Sequence, residues 1–438
     1  MTKIAIKTQS ATNLIAYGGA AVVDGLLRPF SIDSLIDQKL GLRGKTIAAF
    51  KYSEIFRSVL YTTLCGGEHL EDVSLNTVGS TLRAIMPDVP SPDTTSRGLR
   101  SLAVEDTMYV DERTGHEYLF SVNKQMNELM LEMQIRLGQL KEGEKIDVVD
   151  FDHVFLPNEK EYAKPSYKKK TGEFPGVAMT GGQILYIEDR DANTNVRFKQ
   201  ETTLNNMFTM LDSHNIGVKK FRADCGSYSE EIIKTVNRHC EKFYIRASNC
   251  ADRETQFEAA EGWESVTINK QECDVLSMPF VSKTMDLGDV KNLRLIVQRT
   301  IYKDDKHMGD LFETTYIYRC ILTNDNDMTA KEVIEFYNQR GESEKNFDIQ
   351  NNDFCWSRLP FRKMKENNVF LIVMAMIKNI YLYLIARIAN VMPHLDVRNR
   401  LRRFIFEFMT VPAKLTSHGG RNVLTLFTDR PYEKLVSV

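Results

Sequence analysis

No two of the seven cysteines stand in a C-x-x-C spacing; they are scattered at 65, 225, 240, 250, 273, 320 and 355. That absence removes the paired knuckles of a structural zinc site. The odd, dispersed set suits buried thiols in a reducing compartment better than a disulfide framework. Net charge is lacking as well, since 57 basic against 59 acidic side chains leave a formal −2. The whole molecule therefore has no electrostatic footprint for nucleic acid, and such a partner must be met by local basic patches. The first 25 residues alternate polar and apolar positions without a continuous apolar run, so no signal peptide is expected. One long apolar stretch exists, 369–392, but Lys378, Asn379, Arg387 and Asn390 interrupt it. It reads as a buried amphipathic helix rather than a membrane span, and no membrane partner is expected. Internal repeats and low-complexity tracts are absent too.

What is there is a chain of 438 residues, 42% hydrophobic, enough for a large core and two or three domains. Residues 1 to about 140 read as mainly helical, with apolar positions at helical spacing through 47–64 and 108–140. Between these lie Gly66-Gly67-Glu68-His69-Leu70-Glu71-Asp72, a break at Pro87, Pro90 and Pro92, and a cap-like Ser91-Pro92-Asp93-Thr94-Thr95-Ser96-Arg97. A structural helical domain and a helix-turn-helix-like DNA-binding domain fit this pattern equally.

From Lys145 the pattern turns to strands. Residues 146–155 are a β-branched run carrying Asp147, Asp150 and Asp152, and Gly181-Gly182 splits two apolar runs as a hairpin would. A helix is expected over 201–214, a strand over 218–223, a helix over 228–240 and a strand over 243–246. Three meander strands, helix, strand, helix, strand is the order of a ribonuclease-H-like fold. Residues 250–320 interrupt it with strand-like pieces at 292–300 and 313–322. Thr329 then caps a helix expected to run unbroken over 330–347.

Three places carry candidate chemistry. Asp150 and Asp152 alternate on one strand and so share a face, among Val149, Phe151 and Val154. Close carboxylates resist joint ionisation, a cost that a bound Mg²⁺ or Mn²⁺ would meet; an edge strand with solvated acids gives the same pattern. Asp224 ends the 218–223 strand before Cys225-Gly226-Ser227-Tyr228, where α/β folds place functional groups, though a turn-capping role would suffice. Tyr337, Arg340 and Glu344 recur at i, i+3 and i+7, offering a phenol and a guanidinium for phosphate and a carboxylate for metal, unless they form a salt-bridged solvent face. Two basic segments could track a phosphate backbone or lie solvated: Lys160, Lys164, Lys168, Lys169 and Lys170, and Arg398, Arg400, Arg402, Arg403, Lys414 and Arg421. Trp263 could stack on an unpaired base or serve the core.

The series Val149-Asp150-Phe151-Asp152, Phe221-Arg222-Ala223-Asp224-Cys225-Gly226-Ser227-Tyr228 and Tyr337-x2-Arg340-Gly341-x2-Glu344 resembles the DDE transposases of bacterial insertion sequences. Within them it is most similar to the Y-R-E signature group and insertion-sequence family thirteen-eighty. The segments around Gly66, Pro90 and Tyr167-Lys168-Lys169-Lys170-Thr171-Gly172, and the late Arg421, extend the resemblance over nearly the whole chain. Two positions depart from the family pattern. Asp152 is followed by His153-Val154 rather than Ser/Thr-Thr, and Asn351 stands where a lysine is usual, leaving any such role to Lys345, Lys363 or Lys365.

The resemblance implies an α/β fold with a ribonuclease-H-like catalytic domain at 141–249 and 321–362. A β-rich insertion would fill 250–320. A helical N-terminal domain for DNA binding would occupy 1–140, and a helical C-terminal region for DNA contact or dimerisation 363–438. Asp152, Asp224 and Glu344 would be the catalytic acids holding two Mg²⁺ or Mn²⁺ ions, with Asp150 as alternative first ligand. Tyr337 and Arg340 would grip phosphates, as would Lys168, Lys169, Lys170, Arg402 and Arg403. The implied activity is cleavage at element ends and joining of the freed 3′-OH to target DNA. Partners would be double-stranded DNA, as terminal inverted repeats and target, and a second copy of the chain; the place would be the bacterial cytoplasm, at the nucleoid. A ribonuclease-H-like nuclease that does not join DNA, or a non-catalytic DNA-binding relative, is the alternative.

Overall fold

The computed structural model describes residues 6–8, 13–44, 49–248, 253–282, 284–288, 290–301, 316–419 and 421–436. Ile47, Cys250, Glu313 and residues 302–315 of the expected insertion lie outside the described residues, as does the side chain of Arg421. The chain divides into two compact units: Met1–Glu105 with Asn123–Gln139 and Ile349–Val438, and Asp106–Val122 with Leu140–Asp348. These divisions do not follow the expected domain boundaries.

The second unit is built on an eleven-stranded sheet. Along the chain its elements are β1 (Thr107–Val110), β2 (Glu117–Ser121), β3 (Lys145–His153), β4 (Gly176–Thr180), β5 (Gln183–Arg190), α1 (Gln200–Ser213), β6 (Gly217–Ala223), α2 (Glu230–His239), β7 (Cys240–Ala247), β8 (Glu264–Ile268), β9 (Gln271–Pro279), β10 (Arg294–Ile301) and β11 (Tyr316–Thr323). The strand order is β8-β9-β10-β11-β7-β6-β3-β4-β5-β2-β1. Its centre, β5-β4-β3-β6-β7, has β3, β6 and β7 parallel and β4 antiparallel to both neighbours. This is the ribonuclease-H-like order expected from the element sequence.

Local chemistry explains the hairpin and the central strand. β4 and β5 are joined by two residues, with Thr180 opposite Gln183. Both Gly181 (φ 53°) and Gly182 (φ 87°) are left-handed, as a two-residue turn matched to strand twist requires. In β3 the fully buried Val149 and Phe151 alternate with the half-buried Asp150 and Asp152, so the period of two sends the aspartates to the opposite face.

Residues 108–140 do not form one helix: β1 and β2 make a hairpin that pairs with β5 through Phe120 and Arg190, and only Lys124–Arg136 is helical. Thr107, Tyr109, Val110, Tyr118 and Phe120 favour a pleated surface, and a free edge at β5 rewards pairing. The strands expected within 250–320 do form, but they lengthen the main sheet, because β11 pairs antiparallel with β7 and β10, β9 and β8 follow in turn.

The first unit packs the helices Gly19–Leu27, Ile32–Leu40, Tyr52–Leu64, Asn76–Ile85, Pro92–Arg100 and Lys124–Arg136 with the long Met364–Ala389. That last helix is long and apolar enough to cross a membrane, yet 83% of its most apolar window is buried within the fold. It is apolar on nearly every face and therefore needs cover on all sides; Lys124–Arg136 and Pro92–Arg100 supply part of it. Lys378 in its middle is buried, which pushes its amine down to about 7. The C-terminal region is not wholly helical: Ala413–His418 and Arg421–Leu426 form a hairpin that pairs with Leu14–Ile15. Backbone pairing between the two ends of the chain thus places the expected N- and C-terminal domains in one unit.

The sheet unit also buries a carboxyl pair. Glu173, beside β5, and Asp189, on β5, are both fully buried, and the Tyr162 hydroxyl donates to Glu173 Oε2 at 2.9 Å. Burial pushes Glu173 from its usual 4.5 up to about 7 and Asp189 well above the usual carboxylate range. The folded chain therefore holds protons that the unfolded chain has released, so stability is full at low pH and lost as pH rises through about 7. Denaturant midpoints should fall between about pH 5 and about pH 8, and Glu173→Gln should flatten that fall.

Candidate active site at the ends of the central strands

The register between β3 and β6 sets the site. Asp150 is opposite Arg222, and Phe151 is opposite Ala223. The next residues, Asp152 and Asp224, therefore leave two neighbouring parallel strands at the same level.

The two β3 aspartates have different partners. Arg222 grips Asp150 with both arms, Nε to Oδ1 at 2.7 Å and Nη2 to Oδ2 at 2.8 Å. Its remaining nitrogen, Nη1, donates to the Phe336 carbonyl at 2.6 Å. Two parallel charge-assisted bonds occupy the Asp150 carboxylate and make it a fastener between strands. Asp152 instead receives one arm of Arg340, Nη2 to Oδ2 at 2.8 Å, and the backbone N–H of His153 at 2.9 Å. Arg340 Nε is buried without a hydrogen-bond partner among the described residues. Burial pushes the Asp152 carboxyl up to about 6; Arg340 opposes that rise, while the charges of Asp224 and Glu344 add to it. One arginine does not balance the three acids.

Asp224 caps the turn Cys225–Ser227, its Oδ1 accepting from the Gly226 N–H at 2.9 Å. A Cβ at Gly226 would lie 2.9 Å from both that oxygen and Val196 Cγ2, so a larger residue there would have to displace the capping carboxylate or the valine. The turn-capping role and a place beside Asp152 are thus not exclusive.

Beyond the sheet, α3 (Ala330–Asn338) begins with a capping box between Thr329 and Glu332. The expected unbroken helix is interrupted: a 3-10 turn at Gln339–Gly341 separates α3 from α4 (Glu342–Asp353). Asn338 and Gly341 are weak helix formers at the break. The i, i+3, i+7 face is therefore divided among three segments. The Tyr337 hydroxyl donates to the Ala223 carbonyl at 3.2 Å, tying α3 to the residue before Asp224, and burial pushes its phenol up to about 12. Arg340 holds Asp152 from the 3-10 turn, and Glu344 is exposed in the first turn of α4.

Lys168, Lys169 and Lys170 are exposed at a hairpin tip between the short strands Lys164–Pro165 and Thr171–Glu173, with Lys168 Nζ over the rings of Phe155 and Tyr167. Arg402 and Arg403 are exposed on Leu401–Phe404 in the other compact unit. Trp263 is capped by Arg299, 4.1 Å from its ring centroid. Arg222 was missed by motif reading. Its signal was an equal offset: Arg222 precedes Asp224 by two residues as Asp150 precedes Asp152, which puts the two side by side on parallel strands.

Residues 3–438 match the family described as transposase DDE domain, group 1. The chain belongs to this family. A solved piggyBac transposase synaptic complex with hairpin DNA is also similar, at 12% identity and a TM-score of 0.43, with 90% of this chain and 80% of that chain covered. No curated protein matches the chain. DDE transposases use divalent metal ions, and the donors here fit that chemistry. They are carboxylate oxygens, which hard cations prefer, with the half-buried Asp152 in the field of two further acids.

The two β3 aspartates should separate experimentally. Asp150→Ala strands the buried Arg222 and should cost about 3–5 kcal/mol of stability. Asp152→Asn relieves repulsion at the acidic site and should stay within about 1 kcal/mol of the parent, or exceed it. Urea unfolding of both variants without divalent metal checks the contrast.

Proposed function

We propose that this transposase cleaves DNA at the ends of a bacterial insertion sequence and joins the freed 3′-OH to target DNA. In this reading Asp152, Asp224 and Glu344 hold two Mg²⁺ or Mn²⁺ ions. The observation that carries it is the register of the two parallel strands, which brings Asp152 and Asp224 out at the same level, while burial raises the Asp152 carboxyl and the charges of Asp224 and Glu344 add to that rise. Asp150 is the weaker candidate for first ligand because Arg222 occupies both of its oxygens. The Tyr337, Arg340 and Glu344 spacing supports the Y-R-E group and insertion-sequence family thirteen-eighty.

Divalent ions held by Asp152, Asp224 and Glu344 would supply activation of a water or 3′-hydroxyl and charge for the leaving oxygen. The chain's own residues then have distinct tasks. Asp152 and Asp224 present carboxylates from the ends of two rigid, paired strands. Tyr337, whose proton is committed to Ala223, positions α3 rather than gripping phosphate. Arg340, which holds Asp152 with one arm and leaves its Nε without a partner among the described residues, has the planar guanidinium suited to a DNA phosphate. Lys168, Lys169, Lys170, Arg402 and Arg403 are exposed cations suited to the backbone of double-stranded DNA. Two ends must be held together for joining, which calls for a homodimer.

With element-end duplex and Mg²⁺, the parent should give both nicked and strand-transfer products, and Asp152→Ala, Asp224→Ala and Glu344→Ala should each fall to background. Cleavage with no transfer product would make the protein a nuclease instead; normal cleavage by all three variants would remove the site assignment. Replacing Lys168, Lys169 and Lys170 by alanine should flatten the salt dependence of duplex binding, the log–log slope falling by up to about 0.9 for each phosphate no longer neutralised.

A further inference from the structure

Residues 191–199 join β5 to α1 and lie against the turn that Asp224 caps. Two fully buried side chains fasten this segment from beneath. Arg190 Nη1 donates to the Phe198 carbonyl at 3.0 Å, and Gln200 Nε2 donates to Ser227 Oγ at 2.6 Å. Within the segment, Asn195 Oδ1 accepts the Arg197 N–H at 3.0 Å, and the Asn195 carbonyl accepts the Phe198 N–H at 2.9 Å. These bonds account for the path of the backbone without the side chain of Arg197.

Arg197 is exposed, yet its guanidinium is fixed in place. Its Nη2 donates to the Cys225 carbonyl at 3.0 Å and to Ser248 Oγ at 2.8 Å. The first acceptor belongs to the residue after Asp224, and the second follows the last residue of β7. Arg197 therefore bridges the ends of β6 and β7, on the β7 side of Asp224, whereas Asp152 leaves the strand on the β3 side. Both hydrogens of Nη2 are committed. Nε and Nη1 make no hydrogen bond among the described residues, and no described carboxylate pairs with the guanidinium. Two exposed bonds to neutral oxygens add little stability against the entropy of ordering so long a side chain. They do hold a full positive charge, with two donor nitrogens uncommitted, one residue from a proposed metal ligand.

We propose that Arg197 grips a backbone phosphate of the DNA strand held at Asp224, beside the phosphate that reacts. A guanidinium can keep one arm on the turn while its other nitrogens meet a phosphate oxygen, which an ammonium cannot do. Because the anchor orients the group before DNA arrives, little ordering is left for the moment of binding. The contact would also set positive charge against the approach of a polyanion to a site that gathers three acids. This inference rests on the proposed DNA-cleaving function and adds a residue outside the Tyr337, Arg340 and Glu344 spacing. Arg197 lies in a connecting segment, where neither strand nor helix period marks it.

The test follows binding of the full chain to element-end duplex by fluorescence anisotropy, over a salt series and without divalent metal. Loss of one phosphate contact should weaken Arg197→Ala about tenfold and lower its log–log salt slope by about 0.9. Arg197→Gln, still able to donate to the Cys225 carbonyl, should behave as the alanine variant does, and Arg197→Lys should recover the slope. Melting temperatures should stay at the parent's, because Arg190 and Gln200 hold the segment. Duplexes carrying single neutral methylphosphonates locate the contact: at one position beside the cleaved bond the parent should lose affinity and Arg197→Ala should lose nothing further. Parent-like affinity and slope in Arg197→Ala overturn the inference and leave the proposed function standing. So does a loss in Arg197→Ala that Arg197→Gln restores, which would make Arg197 a brace for the Asp224 turn. A parent that binds no duplex would sink the proposed function itself.

Discussion

Two carboxylates placed two residues apart on an inner strand must each find positive charge, and the sheet unit is organised around meeting that need. Asp150 and Asp152 share a face of β3, and each draws in a different arginine. Arg222 reaches Asp150 from the adjacent strand and continues to the Phe336 carbonyl. Arg340 reaches Asp152 from the turn after α3, while Tyr337 holds the Ala223 carbonyl between them. Helix α3 and the turn after it are thus tied to β3 and β6 at three neighbouring positions. Those ties bring α4, and with it Glu344, within electrostatic reach of Asp152. The neutralised aspartate builds the frame; the under-compensated one is the proposed first metal ligand.

The same unit meets buried acid in a second way. Glu173 and Asp189 are buried near one another, and burial raises both carboxyls until protons replace a counter-ion. Burial alone therefore does not mark a catalytic acid. What distinguishes Asp152 is its place at a strand end, beside a second acid leaving the neighbouring strand at the same level.

Much was legible in the order of residues alone. The β-branched alternation around Val149, the Gly181-Gly182 turn, the Thr329 cap and the alternation of strand and helix from 146 to 246 are local signals, and the folded elements follow them within a few residues. Misreadings arose where local pattern was ambiguous. Residues 108–121 carry apolar positions compatible with either period, and an open sheet edge decided for strand. Helix propensity through 330–347 was high, but Asn338 and Gly341 yielded to the pull of two strand-end contacts.

By itself the amino-acid sequence determined the order of elements, the family, and which acids and bases are available, because these depend on residue type and short spacing. Tertiary structure decided how those groups are partnered. Only the β3–β6 register could set Arg222 against Asp150 and leave Asp152 to Arg340. Only long-range pairing could add the strands of 264–323 to the main sheet and join Leu14–Ile15 to the hairpin at 413–426. Periodicity repeats every two or 3.6 residues and carries no record of which distant segment lies alongside. How the two aspartates are partnered was therefore a matter of register, which no motif records.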